Sequence, residues 1–198
     1  MITKWFGMDY GYALFLLAGF AFIGAGMKYV DAAFDEGTVG KRSAYIVAAL
    51  CGAMMGALIG MDAYAAMVLL SIILGVAVTG KIDAPAFVVG ALAALAVPAL
   101  FSSQVTLYTL PVAVLVLGAV LDELGNDLAD SGRVRNGLFA LFFRHRLTME
   151  FFMAGLALAG FFPAVYLLAL VSLDAGYHAM TYYSASVSAA RARQGRGN

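Results

Sequence analysis

The chain of 198 residues is 63% hydrophobic and only 12% charged, and its formal net charge at pH 7 is zero. A soluble domain of this size cannot bury so large an apolar fraction, so the composition excludes an ordinary water-soluble protein. The apolar runs have helix length and lack the alternation of an outer-membrane barrel. The sequence therefore predicts an all-α fold, a polytopic transmembrane helical bundle that forms one integral membrane domain over residues 1–198.

About seven spans and one short interfacial helix are predicted along the chain. They are expected at residues 10–29, 43–60, 63–79, 85–101, 106–121 and 136–143 and from residue 148 onward, with an uncharged turn at 102–104. The first run has no small-residue cleavage site after it and is expected to be a retained span. After residue 148 the apolar run is either one long tilted helix or two helices that meet near Pro163, so six and seven spans are both open. Residues 185–198 are expected to form a flexible basic tail.

Most of the cations fall on one predicted side of the bundle, and Lys4 is the exception. That side holds Lys28, Lys41, Arg42, Lys81, Arg133, Arg135, Arg144 and Arg146. Because lysine and arginine mark the cytoplasmic face, the pattern predicts a multi-pass cell-membrane protein with its N-terminus outside. The arginines of the tail favour the same inner side, which favours a seventh span and a C-terminus inside.

Two acidic stretches are the strongest functional signal. The first holds Asp31 and Asp35, and the second is the segment LDELGNDLADSGRVR at residues 121–135. Four predicted spans separate the two stretches, and an even number of spans returns the chain to the same side. Both stretches are therefore expected on the cytoplasmic face, where short loops allow them to meet at one cavity mouth.

The spacing within each stretch favours a divalent cation. If the first helix continues through its end, Asp31 and Asp35 stand at i and i+4 and share one face. Glu123, Asp127 and Asp130 stand at i, i+4 and i+7 and form a second stripe. Carboxylates so close repel one another, and Mg²⁺ relieves that repulsion while binding phosphate oxygens as well. These five residues are the candidate Mg²⁺ ligands, and Asp122 pairs by spacing with Asn126.

Four cations follow the acidic stretches and are candidates for binding a diphosphate. They are Lys41, Arg42, Arg133 and Arg135. Lysine and arginine side chains compensate phosphate charge that a metal ion leaves over. No histidine or cysteine group accompanies the carboxylates, which disfavours Zn²⁺. No nucleic-acid partner is expected.

This layout resembles the UbiA superfamily of intramembrane prenyltransferases. Residues 25–36, AGMKYVDAAFDE, resemble the first aspartate-rich motif of that family, although Val30 stands where asparagine is usual. Residues 122–132, DELGNDLADSG, resemble the second, with either Asp122 or Glu123 at the matching ligand position, and 136–143 matches the short helix that follows. The chain lacks the usual first helix and has about seven spans where nine are typical.

The resemblance implies a Mg²⁺-dependent enzyme that transfers an isoprenoid from a prenyl diphosphate to a lipophilic acceptor. It implies Asp31, Asp35 and Asp127 as catalytic residues. The main alternative is a small membrane transporter or channel with an acidic cytoplasmic vestibule. A third interpretation is an accessory subunit. Gly52, Gly56 and Gly60 are each four residues apart and are expected to form a groove on the second helix that another helix can enter. Such glycine faces are also compatible with a homo-oligomer.

Several other residues have local interpretations. Asp62 is expected to cap the third helix, and Glu150 to form an ion pair with Arg146 four residues earlier. His145 is expected to join a basic cluster for anionic lipid headgroups. Asp174 and His178 are expected to mark a helix end near the outer face.

Overall fold

The computed structural model describes residues 4–5, 8–101 and 105–195. This part of the chain is helical apart from one small hairpin, as the composition predicted. The hairpin pairs two antiparallel strands, β1 (Lys4–Trp5) and β2 (Met8–Asp9). The helices are α1 (Tyr10–Phe34), α2 (Lys41–Met61), α3 (Ala63–Val78), α4 (Pro85–Leu100), α5 (Thr109–Asp130), α6 (Gly137–Arg144), α7 (Thr148–Leu158) and α8 (Val165–Gly195).

The sequence left open whether one helix or two follow residue 148, and the structure has two. α7 and α8 are separate helices, and Pro163 lies in the connection between them. α8 continues through residue 195, where a flexible tail was predicted from residue 185. The predicted turn at residues 102–104 and the last three residues of the tail lie outside the described residues.

By length and hydropathy, two helices of the described chain, α1 and α2, are suited to crossing a bilayer. α3, α4 and α7 are shorter apolar helices. Large apolar side chains cover the outer surface of the bundle, for example Leu14 at 65% and Leu92 at 62% exposure. An apolar surface of this kind indicates association with a membrane. Seven spans and their orientation stay predictions.

The helices pack in a simple pattern. α1 packs mainly against α8 and α2, α2 against α4, and α3 and α7 against α5. The contact between α1 and α8 is backbone to backbone, since a Cβ atom at Gly24 would lie 1.9 Å from the Leu173 carbonyl oxygen. The predicted glycine groove of α2 receives α4, because a Cβ atom at Gly52 would lie 2.1 Å from the Gly90 carbonyl oxygen. These glycine faces are thus used within the chain.

One end of the bundle is held by Asp62, which caps α3 as predicted. Its Oδ1 accepts hydrogen bonds from the backbone N–H groups of Tyr64 and Ala65. Its Oδ2 accepts from the hydroxyl groups of Tyr12 at 3.0 Å and Tyr166 at 2.5 Å. A single carboxylate therefore joins α1, α3 and α8 at the end of the bundle where α1 begins. The acidic stretches lie at the opposite end of α1.

Candidate functional site

The two acidic stretches reach one cavity, the first through Asp31 and Asp35 and the second through Glu123, as the count of predicted elements between them indicated. This first cavity has a volume of about 260 Å³ and lies between α1, α2, α3 and α4. Its charged end is formed by Asp31, Asp35, Lys81, Asp83, Glu123 and Arg146, together with Tyr177. Its walls are apolar and include Ile23, Met27, Met55, Ile72, Ile73 and Val76. The first cavity therefore combines a charged end with an apolar interior.

The end of α1 places two carboxylates side by side. α1 continues to Phe34, beyond the predicted end at residue 29, and the Asp35 N–H still donates to the Asp31 carbonyl at 2.8 Å. Asp31 and Asp35 are therefore one helical turn apart on one face, and both line the first cavity. Gly37 then adopts a φ of +63°, which favours glycine, and the chain turns away.

Asp31 is held by a residue from the far end of the sequence. The Tyr177 hydroxyl donates a hydrogen bond to Asp31 Oδ2 at 3.0 Å. The Tyr177 ring lies 5.8 Å from Lys28 Nζ and 5.7 Å from the Arg146 guanidinium carbon. Both distances are within the range of cation–π interaction. The Arg146 guanidinium also forms an ion pair with Glu123 at 2.9 Å.

The carboxylates of α5 do not act as one stripe. Glu123 is buried and lines the first cavity, whereas Asp127 is exposed and accepts a hydrogen bond from Lys81 at 2.7 Å. This hydrogen bond raises the pKa of Lys81, so the lysine keeps its charge near neutral pH. Asp130 is also exposed and accepts from Asn126 at 3.1 Å. The predicted pairing of Asn126 with Asp122 was therefore wrong, because the Asn126 amide donates to Asp130, four residues later, and not to Asp122, four residues earlier.

Asp122 has a structural position. It is 5% exposed and accepts hydrogen bonds from the backbone N–H groups of Thr148 and Met149 at 2.8 and 2.9 Å. These donors open α7 and have no partner within their own helix. Asp122 thus caps a neighbouring helix, and Glu123 is the residue of this pair that faces the first cavity.

The four predicted diphosphate-binding cations line neither the first cavity nor the second one described below. Lys41 lies over the Phe34 ring at 5.2 Å, and Arg42, Arg133 and Arg135 are exposed. The cations that line the first cavity are Lys81 and Arg146, and Lys28 lies beside Tyr177.

The sequence alone did not assign Lys28, Lys81, Arg146 or Tyr177 to the site. Lys28 precedes Asp31 by three positions, a spacing that places both on one helix face, but Tyr177 left no such signal.

The predicted ion pair of Arg146 with Glu150 was wrong. Arg146 has a φ of +52°, an uncommon conformation for a residue with a side chain, and its guanidinium pairs with Glu123 of α5. Glu150 Oε2 is buried and has no hydrogen-bond partner among the described residues. The turn before α7 therefore directs Arg146 into the bundle and away from its own helix.

A second cavity of about 380 Å³ adjoins the first. The two share Met27, Ile72, Val76, Glu123, Arg146 and Tyr177. The second cavity is also lined by Glu150, Asp174, His145 and His178. The imidazole rings of His145 and His178 are stacked, with Nδ1 of the first 3.3 Å from Nε2 of the second.

Two local predictions concern this second cavity. Asp174 and His178 lie within α8 at the end of the bundle that holds the acidic stretches, so the predicted helix end beside them was wrong. His145 is exposed and its ring stacks on that of His178, and its predicted contact with lipid headgroups stays a prediction.

Among the residues that the structure describes, no group of three or more histidine, cysteine, aspartate or glutamate side chains could hold a metal ion. Mg²⁺ at phosphate-binding sites uses one or two carboxylates, and waters and phosphate oxygens complete its coordination. The Asp31 and Asp35 pair fits that donor set, since both carboxylates line one cavity from adjacent turns.

No protein-family model matches this sequence, and it matches neither a curated protein nor a solved structure.

Proposed function

We propose that this protein is a Mg²⁺-dependent membrane enzyme that transfers an isoprenoid from a prenyl diphosphate to a lipophilic acceptor. The observation that carries the proposal is the first cavity, whose charged end opens into an apolar interior. A prenyl diphosphate has the same division, since an anionic headgroup is joined to an apolar chain. The proposal includes seven spans, with the charged end of the cavity on the cytoplasmic side.

The charged end has groups for a diphosphate and its metal ion. Asp31 and Asp35 supply the oxygen ligands that Mg²⁺ prefers, and a bound Mg²⁺ would polarise the phosphate oxygens and compensate their charge. Lys81 and Arg146 line the same end and can bind the phosphate oxygens directly. Their positive charge stabilises the diphosphate as it leaves, which lowers the barrier to cleavage of its bond to carbon.

The apolar interior would hold the isoprenoid chain. Ile23 of α1, Met55 of α2 and Ile72 of α3 meet there and are all buried. These side chains exclude water around the reacting carbon, so a lipophilic acceptor competes better than water for the isoprenoid. The acceptor would enter from the bilayer or from the second cavity.

A transporter or channel is the second candidate, and the second cavity is the observation that favours it. Transport requires ionisable residues inside the bundle on several helices. Asp122, Glu150 and Asp174 meet this condition, since they lie on α5, α7 and α8 and line one connected space. This candidate predicts cation or proton flux through the purified protein in liposomes and does not require a prenyl ligand.

Binding of geranylgeranyl diphosphate to the detergent-purified protein tests the enzyme proposal. Isothermal titration calorimetry would compare Mg²⁺ with excess EDTA, and Asp35→Asn with Glu36→Gln. Glu36 is the matched control, because it is adjacent to Asp35 but lines neither cavity. We expect binding that requires Mg²⁺, a loss of about tenfold or more in affinity for Asp35→Asn, which is 1.4 kcal/mol, and a change below about twofold for Glu36→Gln.

Binding that persists in EDTA, or that Asp35→Asn leaves unchanged, would sink the enzyme proposal. Absence of binding together with cation or proton flux in liposomes would favour the transporter. A second readout is release of inorganic pyrophosphate from the same ligand, which reports cleavage of the bond between carbon and diphosphate.

A further inference from the structure

Tyr177 is the feature of the first cavity whose role is open. Its hydroxyl group donates to one oxygen of Asp31, across 146 positions in the sequence. It also lines both the first and the second cavity, so it forms part of the wall between them. A hydrogen bond to a carboxylate restrains the rotation of that carboxylate as well as stabilising its charge.

The position of Tyr177 is set by the backbone. Gly176, the residue before it, faces α1 so closely that a Cβ atom would lie 1.9 Å from the Ala21 carbonyl oxygen. Gly24 makes the matching approach from α1 to α8. The two backbones are therefore in contact immediately beside Tyr177, which fixes the distance from its ring to the α1 face that bears Asp31.

The two cations beside the ring matter for the same carboxylate. Lys28 and Arg146 contact the Tyr177 ring, and they also pair with Glu36 and Glu123, respectively. Without the hydroxyl group, the Asp31 carboxylate would be free to rotate toward either cation. An ion pair formed in that way would withdraw an oxygen ligand from the cavity.

We propose that Tyr177 is a positioning residue, which holds the Asp31 carboxylate in the orientation that binds the Mg²⁺ of a diphosphate headgroup. This inference rests on the proposed function, because it assigns a role within that same site. The hydroxyl group occupies Oδ2 and leaves Oδ1 for the metal ion. In this role Tyr177 acts through Asp31 and needs no contact with the reacting atoms.

The test is the Mg²⁺ dependence of geranylgeranyl diphosphate binding in Tyr177→Phe, which keeps the ring and its contacts with the cations. We expect the Mg²⁺ concentration for half-saturation to rise about tenfold, the lower end of the effect of a hydrogen bond to a charged group. Thermal unfolding should stay close to wild type. Tyr29→Phe is the matched control, since it removes a hydroxyl from α1 that bonds Ser43 and lines neither cavity.

A double-substitution cycle separates positioning from a structural role. In an Asp31→Asn background, Tyr177→Phe should have no further effect on the Mg²⁺ dependence. The inference is overturned if Tyr177→Phe lowers only thermal stability, or if the two substitutions add. If the wild-type protein binds no geranylgeranyl diphosphate, the proposed function fails and this inference fails with it. If the wild type binds and Tyr177→Phe behaves like Tyr29→Phe, only the positioning role is refuted.

Discussion

Asp122 joins α5 to α7, and replacing it with alanine tests whether its role is structural. The substitution removes both acceptors of the Thr148 and Met149 N–H groups, which are buried at the start of α7. A hydrogen bond to a charged group contributes about 1.5 to 3 kcal/mol, so two such bonds contribute about 3 to 6 kcal/mol. For a chain of this size, that loss lowers the midpoint of thermal unfolding by about 6 to 24 °C.

Cys51 provides the assay. It is the single cysteine of the chain and is 5% exposed in the wall of the first cavity, so a thiol-reactive fluorescent dye should label it faster as the bundle opens. Asp122→Asn should have an intermediate effect, because its amide keeps one acceptor oxygen. Asp127→Ala is the control on the same helix, since its ion pair with Lys81 is half exposed and contributes at most about 1 kcal/mol. The reasoning is refuted if Asp122→Ala unfolds within about 2 °C of Asp127→Ala.

Two further predictions concern stability. Asp62→Ala should lower the free energy of unfolding by about 3 kcal/mol, because it removes a helix cap and the acceptor for Tyr12 and Tyr166; an unfolding midpoint equal to wild type would contradict this. The hydrogen bond from Lys28 lowers the pKa of Glu36. Its stabilisation is therefore present above the ordinary glutamate pKa of about 4.3 and is lost as the pH falls through the lower folded value. The difference in free energy of unfolding between wild type and Glu36→Gln, below about 1 kcal/mol for this partly exposed pair, should shrink on acidification; a growing difference would contradict it.

The sequence predicted the helices well because apolar runs, glycine breaks and the caps are local signals. The cap at Asp62 and the glycine groove at Gly52 were both confirmed. The meeting of the acidic stretches followed from counting spans, which needs only the number of elements between them. Such features depend on order along the chain, and one sequence is enough to read them.

The individual contacts of the site could not be predicted in the same way. Helical spacing placed Glu123, Asp127 and Asp130 together, but they differ in burial and pair with cations from two separate segments, Lys81 after α3 and the pair Arg144 and Arg146 at the end of α6. The orientation of Arg146 depends on a positive φ in a short turn, and no sequence pattern predicted that conformation. Tyr177 reaches Asp31 only because α8 crosses α1 at paired glycines, and that crossing is set by tertiary packing.

The partners of each carboxylate decide which one is available to a ligand. At the first cavity, Glu123 forms an ion pair with Arg146, and Asp31 Oδ2 accepts a hydrogen bond from the Tyr177 hydroxyl. Asp83 Oδ1 accepts a hydrogen bond from the Ala84 N–H. Asp35 is exposed at the end of α1 and forms no ion pair among the residues described. Under the proposed function, a metal ion in the first cavity would meet one carboxylate free to reorient and one held in a fixed direction. This difference is the reason that Asp35→Asn tests metal binding itself, whereas Tyr177→Phe tests only how Asp31 is directed.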